Sequence, residues 1–224
     1  MSRMQLPQSP VSGEFSACRR SRLSRAIACL ILISVLSTFA GVPAHHTIAN
    51  SWSGLLWGLA HPVIGLDRLV TVIAIGLLSA GVVGGATLPL SFVLATICGT
   101  DIHLFQINLP SAEIAIAFST IVFSAILAIP NRPNWLLLLV LSATAGLFHG
   151  YTYGESIIGT EITPLIAYVS GITLTQYVVA MSAKVIYDTM HIREFNQISY
   201  QKKMHLAGFA FCAIGIVIAS KSIM

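Results

Sequence analysis

Six stretches of this chain are apolar for about twenty residues each, the length a helix needs to cross a bilayer. They fall near residues 55 to 80, 87 to 108, 111 to 129, 135 to 153, 162 to 186 and 205 to 222. Backbone amides in hydrocarbon must find partners within their own segment or in a closed barrel, and unbroken apolar runs of this length do so as helices. The expected fold class is therefore all-α, a polytopic membrane protein. With 55% hydrophobic and only 9% charged residues, the chain has too little polar surface for an ordinary soluble domain. The formal charge of +4 does not point to nucleic acid, because Arg3, Arg19, Arg20, Arg22 and Arg25 all precede the first apolar run.

That leading segment has a basic start, an apolar stretch from Ala26 to Ala40, and Val42-Pro43-Ala44, which fits a small-residue cleavage site. Residues 1–44 read as a signal peptide or signal anchor, and residues 45–224 as a single six-helix transmembrane domain. Cleavage would place His45-His46 at the new terminus and remove Cys18 and Cys29. Cys98 and Cys212 then remain within apolar spans, where packing is expected and no zinc motif or disulfide framework is defined.

Positive charge marks the cytoplasmic side. Arg132, Lys184, Arg193, Lys202 and Lys203 share one side of the six-span arrangement, with the connections Gly81 to Ala86, Pro130 to Asn134 and Asp188 to Met204. Leu109-Pro110 and Gly154 to Glu161 join spans on the other side. Trp52, Trp57 and Trp135 stand near span ends, as interfacial anchors do. Asp67, Asp101, Glu113, Glu155 and Glu161 map to the outer half with His61, His103 and His149. Such sorting gathers cation ligands at an outward-facing vestibule.

Ionisable groups at membrane depth are costly unless they face a cavity, a partner or an ion. Two clusters have this character: His61-Pro62-Val63-Ile64-Gly65-Leu66-Asp67, and His149-Gly150-Tyr151-Thr152-Tyr153-Gly154-Glu155. On a regular helix, residues six apart diverge by about 120° and lie about 9 Å apart along the axis. Neither histidine reaches its carboxylate unless the helix breaks. Pro62 with Gly65, and Gly150 with Gly154, are expected to supply those breaks. Imidazole plus carboxylate suits nickel, cobalt or zinc better than magnesium or calcium.

Asp101 and His103 share a face if Gly99-Thr100-Asp101-Ile102-His103 is extended, and would then line the entrance; the other reading is an interfacial loop pair. Glu113 and Glu161 fit the site, but also fit first-turn acids of helices capped by Ser111 and Thr160. Gln176 suits an interhelical hydrogen bond as well as a site residue. Arg68 either neutralises Asp67 or points away from it.

At these residues the chain resembles the HupE/UreJ family of membrane proteins, associated with nickel or cobalt uptake. The likeness includes the leader, His61-Pro62 through Gly65 and Asp67, Leu109-Pro110 followed by Glu113, and Leu147-Phe148-His149-Gly150 through Gly154-Glu155. It runs from about residue 45 to the fifth span, and Gly154 to Tyr168 looks most like the branch in oxygenic photosynthetic bacteria. The resemblance implies a permease of a bacterial inner membrane, with nickel or cobalt as substrate, no prosthetic group, lipid as surroundings and no nucleic-acid partner; a homo-oligomer stays open. It makes His61, Asp67, His149 and Glu155 candidate metal-binding residues; in a transporter, Asp101, His103 and Glu113 of the outer half would attract or pass on the cation. The chain departs from the family pattern at Arg68 and Tyr153, where histidines are common, and near Gln176, where many members carry another.

The expected function is a secondary transporter or facilitator for a divalent transition metal. Two alternatives belong to other classes: an intramembrane metal-dependent hydrolase in which Glu155 activates water, or a non-transporting metal-binding accessory protein. The sequence carries no Walker pattern, HExxH motif or nucleophile elbow.

Overall fold

The computed structural model describes residues 10–40, 48–109, 111–129, 133–193 and 197–223. The cleavage motif Val42-Pro43-Ala44, His45-His46, Pro110, Pro130 to Arg132 and Glu194 lie outside them, as do the side chains of Arg193, Lys202 and Lys203. Eight helices account for nearly all of the described chain: α1 Pro10–Ala40, α2 Ser51–Ile64, α3 Leu66–Leu78, α4 Thr87–Leu104, α5 Ala112–Ala128, α6 Trp135–Glu155, α7 Ile162–Arg193 and α8 Gln197–Ile223.

Local chemistry sets several of the ends. Asn50 caps α2: its side chain accepts from the Ser53 N–H at 2.8 Å, while the Ser53 hydroxyl oxygen accepts from the Asn50 N–H at 3.1 Å. Asn134 starts α6 by accepting from the Leu136 N–H. Ser111 has φ +55 and makes no side-chain cap, so the capping expected of it before α5 is not seen.

Among the described residues, α4, α6, α7 and the Ser21–Thr38 part of α1 are long and apolar enough to cross a membrane. α2 and α3 pass the same test only together, as one broken span bent by 80°. α5 and the His205–Ser220 part of α8 are shorter. The protein is therefore an all-helical membrane protein with four or five spans by length, α1 among them; the six spans expected after the leader are reached only if the α2–α3 pair, α4, α6 and α7 are joined by both short helices. The broad loop expected between Asp188 and Met204 is mostly helix, because α7 continues to Arg193 and α8 begins at Gln197.

α3 lies at the centre. Every residue from Leu69 to Gly76 is buried, as befits a helix that is apolar all round. Around it pack Leu88 and Phe92 of α4, Phe123 of α5, Leu138 and Ala145 of α6, and Val179 and Ala183 of α7. Leu94, Phe118, Val140, Ile166, Leu174 and Phe209 face outward on the surrounding helices, where lipid is their natural solvent. Cys98 is also exposed and faces outward from α4.

Small residues bring the backbones together, as in other membrane bundles. Along α6, a Cβ at Gly146 would meet the Phe92 carbonyl, one at Gly150 the Thr96 carbonyl, and one at Gly154 the His103 side chain. Between α2 and α7, a Cβ at Gly58 would meet the Tyr168 carbonyl. Side-chain hydrogen bonds join the same pairs: Thr100 Oγ1 donates to the Gly150 carbonyl and Thr175 Oγ1 to the Leu59 carbonyl.

The two ends of the bundle hold the connections that were expected together. At one end the Gly81 N–H donates to Asp188 Oδ1 at 2.7 Å, and Lys184 pairs with the other oxygen of the same carboxylate. At the other, the Leu109 N–H donates to the Tyr151 hydroxyl at 3.2 Å.

Candidate functional site

The break between α2 and α3 puts charged side chains inside the bundle. Pro62 lies within α2, where it has no N–H to give the Gly58 carbonyl, and α2 stops two residues later. Gly65 then adopts ordinary extended angles, φ −83 and ψ 114, so its use is space rather than unusual dihedrals. A Cβ there would press on Asp67 Oδ1 at 3.1 Å and on Arg68 Cδ at 3.0 Å. Asp67 occupies the first turn of α3, where the helix dipole favours a carboxylate. Its Oδ1 accepts from the Arg68 backbone N–H at 2.9 Å. The Thr120 hydroxyl of α5 lies 3.3 Å from the Asp67 carbonyl and 2.7 Å from the Thr71 hydroxyl, holding this turn against α5.

Opposite stands α6, which runs without interruption to Glu155. The second expected break is therefore absent. Gly150 and Gly154 serve close approach to α4 instead, and on a continuous helix His149 and Glu155 diverge. His149 is completely buried and its ring packs edge-on against Phe92, with centroids 5.2 Å apart. Its Nδ1 lies 2.8 Å from the Ala145 carbonyl oxygen. A carbonyl only accepts, so Nδ1 carries the proton, and Nε2 of the neutral ring presents a lone pair. That Nε2 is buried and meets no hydrogen-bond partner among the described residues. Asp67 and Arg68 open the same turn of α3, and the Arg68 guanidinium reaches the Tyr153 ring on α6, one turn from His149, which brings all three into one neighbourhood.

Tyr153, one turn beyond His149, extends the same face. His61 reaches it from α2 with ring centroids 5.2 Å apart, and the Arg68 guanidinium lies 5.0 Å over its ring. From α7, the Tyr168 hydroxyl hydrogen-bonds His61 Nδ1 at 2.5 Å. Gln176 approaches the Tyr153 hydroxyl closely enough to interact, yet the hydrogen-bond geometry is not met, and the hydroxyl and both amide atoms remain buried without partners. His61, Asp67 and His149 thus share one interior locus, with Tyr153 and Arg68 among them. They are not drawn into a coordination shell: among the described residues no three His, Cys, Asp or Glu side chains stand close enough to hold a metal ion.

Glu155 belongs elsewhere. It is exposed and lines a cavity of about 600 Å³ with His103, Tyr151, Gln106 and Asn108. His103 packs against the Tyr151 ring with centroids 4.4 Å apart, and its buried Nδ1 has no hydrogen-bond partner among the described residues. Asp101 does not share this cavity. α4 stays helical through Leu104, so Asp101 and His103 point to different sides, and Asp101 is exposed. The extended segment expected there is corrected. Glu113 is exposed in the first turn of α5. On another side, Asp67 borders an apolar cavity of about 610 Å³ shared with Val35 and Thr38 of α1 and Ile214 and Val217 of α8.

Sequence reasoning passed over Tyr168. Its signal was position: Tyr168 and Gln176 are eight residues apart, two turns along one face of an apolar helix, so their polar atoms fall on one line.

These features define an all-helical integral membrane protein that sequesters imidazole, carboxylate and guanidinium groups in its interior. The family described as HupE / UreJ protein matches residues 32–218, and the chain belongs to it. The chain is similar to Protein HupE of Rhizobium leguminosarum bv. viciae, with 27% identity over 136 residues that cover 60% of this chain and 67% of that protein. No solved structure matches. Membership places the chain among membrane proteins associated with nickel and cobalt uptake.

Proposed function

We propose that the chain is a secondary transporter or facilitator that carries a divalent transition metal, nickel or cobalt, inward across a bacterial plasma membrane. The observation that carries this reading is His149 Nε2, a lone pair fixed by the Nδ1 bond to Ala145, buried and without a hydrogen-bond partner among the described residues, one turn of α6 from the Tyr153 ring that both His61 and Arg68 approach. A hydrogen bond from the ring's other nitrogen to a carbonyl orients an imidazole ligand and sets its tautomer.

The path follows α6. A hydrated cation first meets the cavity between His103 and Glu155, drawn there by the exposed carboxylates of Asp101 and Glu113. It then passes inward to the face bearing Tyr153 and His149, where Asp67 offers an anionic oxygen and His61 a second imidazole held by Tyr168. The three ligand side chains stand apart in this state, so binding involves their closure, and the 80° break at Gly65 is the joint that lets α2 and α3 move relative to each other. An inside-negative membrane potential favours cation entry by about 2.3 kcal/mol per charge per 100 mV.

X-ray absorption at the nickel edge tests the ligand assignment in purified protein. Imidazole scattering is expected in the wild type, with one imidazole fewer in His149→Ala. A spectrum unchanged by that substitution would remove His149 from the site.

A further inference from the structure

We infer that Arg68 determines which cations the interior site accepts: it is a tethered charge that turns away hard, oxygen-seeking dications and yields to a metal that gains imidazole coordination. The inference rests on the metal-binding reading above and concerns selectivity within it.

Three observations carry it. The Arg68 guanidinium makes no ion pair or hydrogen bond with a described residue; its contact is the face of Tyr153, 5.0 Å from the ring centre. The Asp67 carboxylate is not locked onto that guanidinium either, because its Oδ1 takes the Arg68 backbone N–H. And the ring it covers is completely buried and packs edge-on against His61, so the guanidinium stands at the locus the metal would occupy rather than at an outer interface. Gly65 makes room for this: any side chain there would press on both Asp67 and Arg68.

The charges of Asp67 and Arg68 cancel. A dication arriving here gains no net attraction from the pair, and it must displace the guanidinium to use the carboxylate. Magnesium and calcium prefer oxygen ligands and gain nothing from imidazole. Nickel, cobalt and zinc gain a coordinate bond to His149 Nε2, which is free to form one. A ring face holds a guanidinium loosely enough for it to leave when such a metal arrives.

The test uses the full chain, purified in detergent, with nickel binding measured by equilibrium dialysis in the absence and presence of a large excess of magnesium. Nickel uptake into proteoliposomes is followed in parallel. Wild type is expected to bind nickel equally with and without magnesium, and Arg68→Lys to do the same because the charge persists. Arg68→Gln is expected to lose about tenfold or more in apparent nickel affinity when magnesium is added. Tyr153→Leu, which leaves the charge but removes its perch, is expected to show a smaller shift in the same direction, and it carries the test if Arg68→Gln does not fold. Magnesium indifference in Arg68→Gln, or in Tyr153→Leu where that variant stands in, overturns the inference. Wild type that binds nickel selectively but takes none up into vesicles overturns the transport reading alone; wild type that binds no nickel overturns both.

Discussion

Leaving a buried acceptor such as His149 Nε2 without a partner costs about 1–3 kcal/mol, and Gln176 and Tyr153 add three more unpartnered atoms in the same interior. A packed membrane core does not carry that cost idly when Leu or Phe would fill the space. A bound ligand would discharge it. For the cation, the balance turns on two opposed terms. A dication about 6 Å from a guanidinium at an effective dielectric of about 20 is repelled by roughly 5 kcal/mol, and Asp67 at a like distance returns about the same amount. Coordination to imidazole then decides the outcome. His149→Ala is expected to weaken nickel binding by about 100-fold, and Asp67→Asn by at least about tenfold because it leaves Arg68 unopposed. Both variants should reach the membrane at near-normal abundance; binding within a factor of two of wild type, read by equilibrium dialysis, would contradict the assignment.

The two glycine-bearing clusters look alike in sequence and act differently as helices. In the first, Pro62 removes a hydrogen bond and the chain does break, between Ile64 and Leu66. In the second no proline is present, and α6 passes through both glycines unbroken. Spacing distinguished the cases: Gly146, Gly150 and Gly154 recur every four residues, one face of a helix, which is the pattern of close backbone packing. Gly150→Val should therefore damage the bundle rather than straighten a kink, because its side chain would meet the Thr96 carbonyl. Overpacking of this kind costs about 1–3 kcal/mol, and a lowered unfolding temperature in detergent, with no change at Gly84→Ala in the open α3–α4 turn beyond the strain of φ +77, checks it. The broken span was thus readable from Pro62, and the unbroken one was misread because glycine has two uses. Asp101 and His103 were misplaced for a related reason: the polar residues after Gly99 suggested a loop, but α4 continues for another turn while packed on α6.

At the scale of the whole molecule, the sharing of an end by alternate connections was legible before any coordinates, since successive apolar runs of spanning length must alternate in direction. The Gly81–Asp188 bond ties two connections expected at one end, and the Leu109–Tyr151 bond ties a connection of the other end to the last turns of α6. What the sequence did not reveal is the radial order. α3 sits at the middle of the bundle with its first turn against α5 and its Arg68 reaching α6, and this depends on which glycines contact which carbonyls, information that apolar runs do not contain. The path proposed on this order is layered, with His103 and Glu155 at an open cavity and His61, Asp67 and His149 deeper along the bundle. Sealed vesicles holding the purified protein, exposed in parallel to nickel, cobalt, zinc and manganese under an inside-negative potential, examine that path most directly. The account predicts uptake of nickel or cobalt well above protein-free vesicles, abolished by His149→Ala; equal accumulation in vesicles with and without the protein would contradict it.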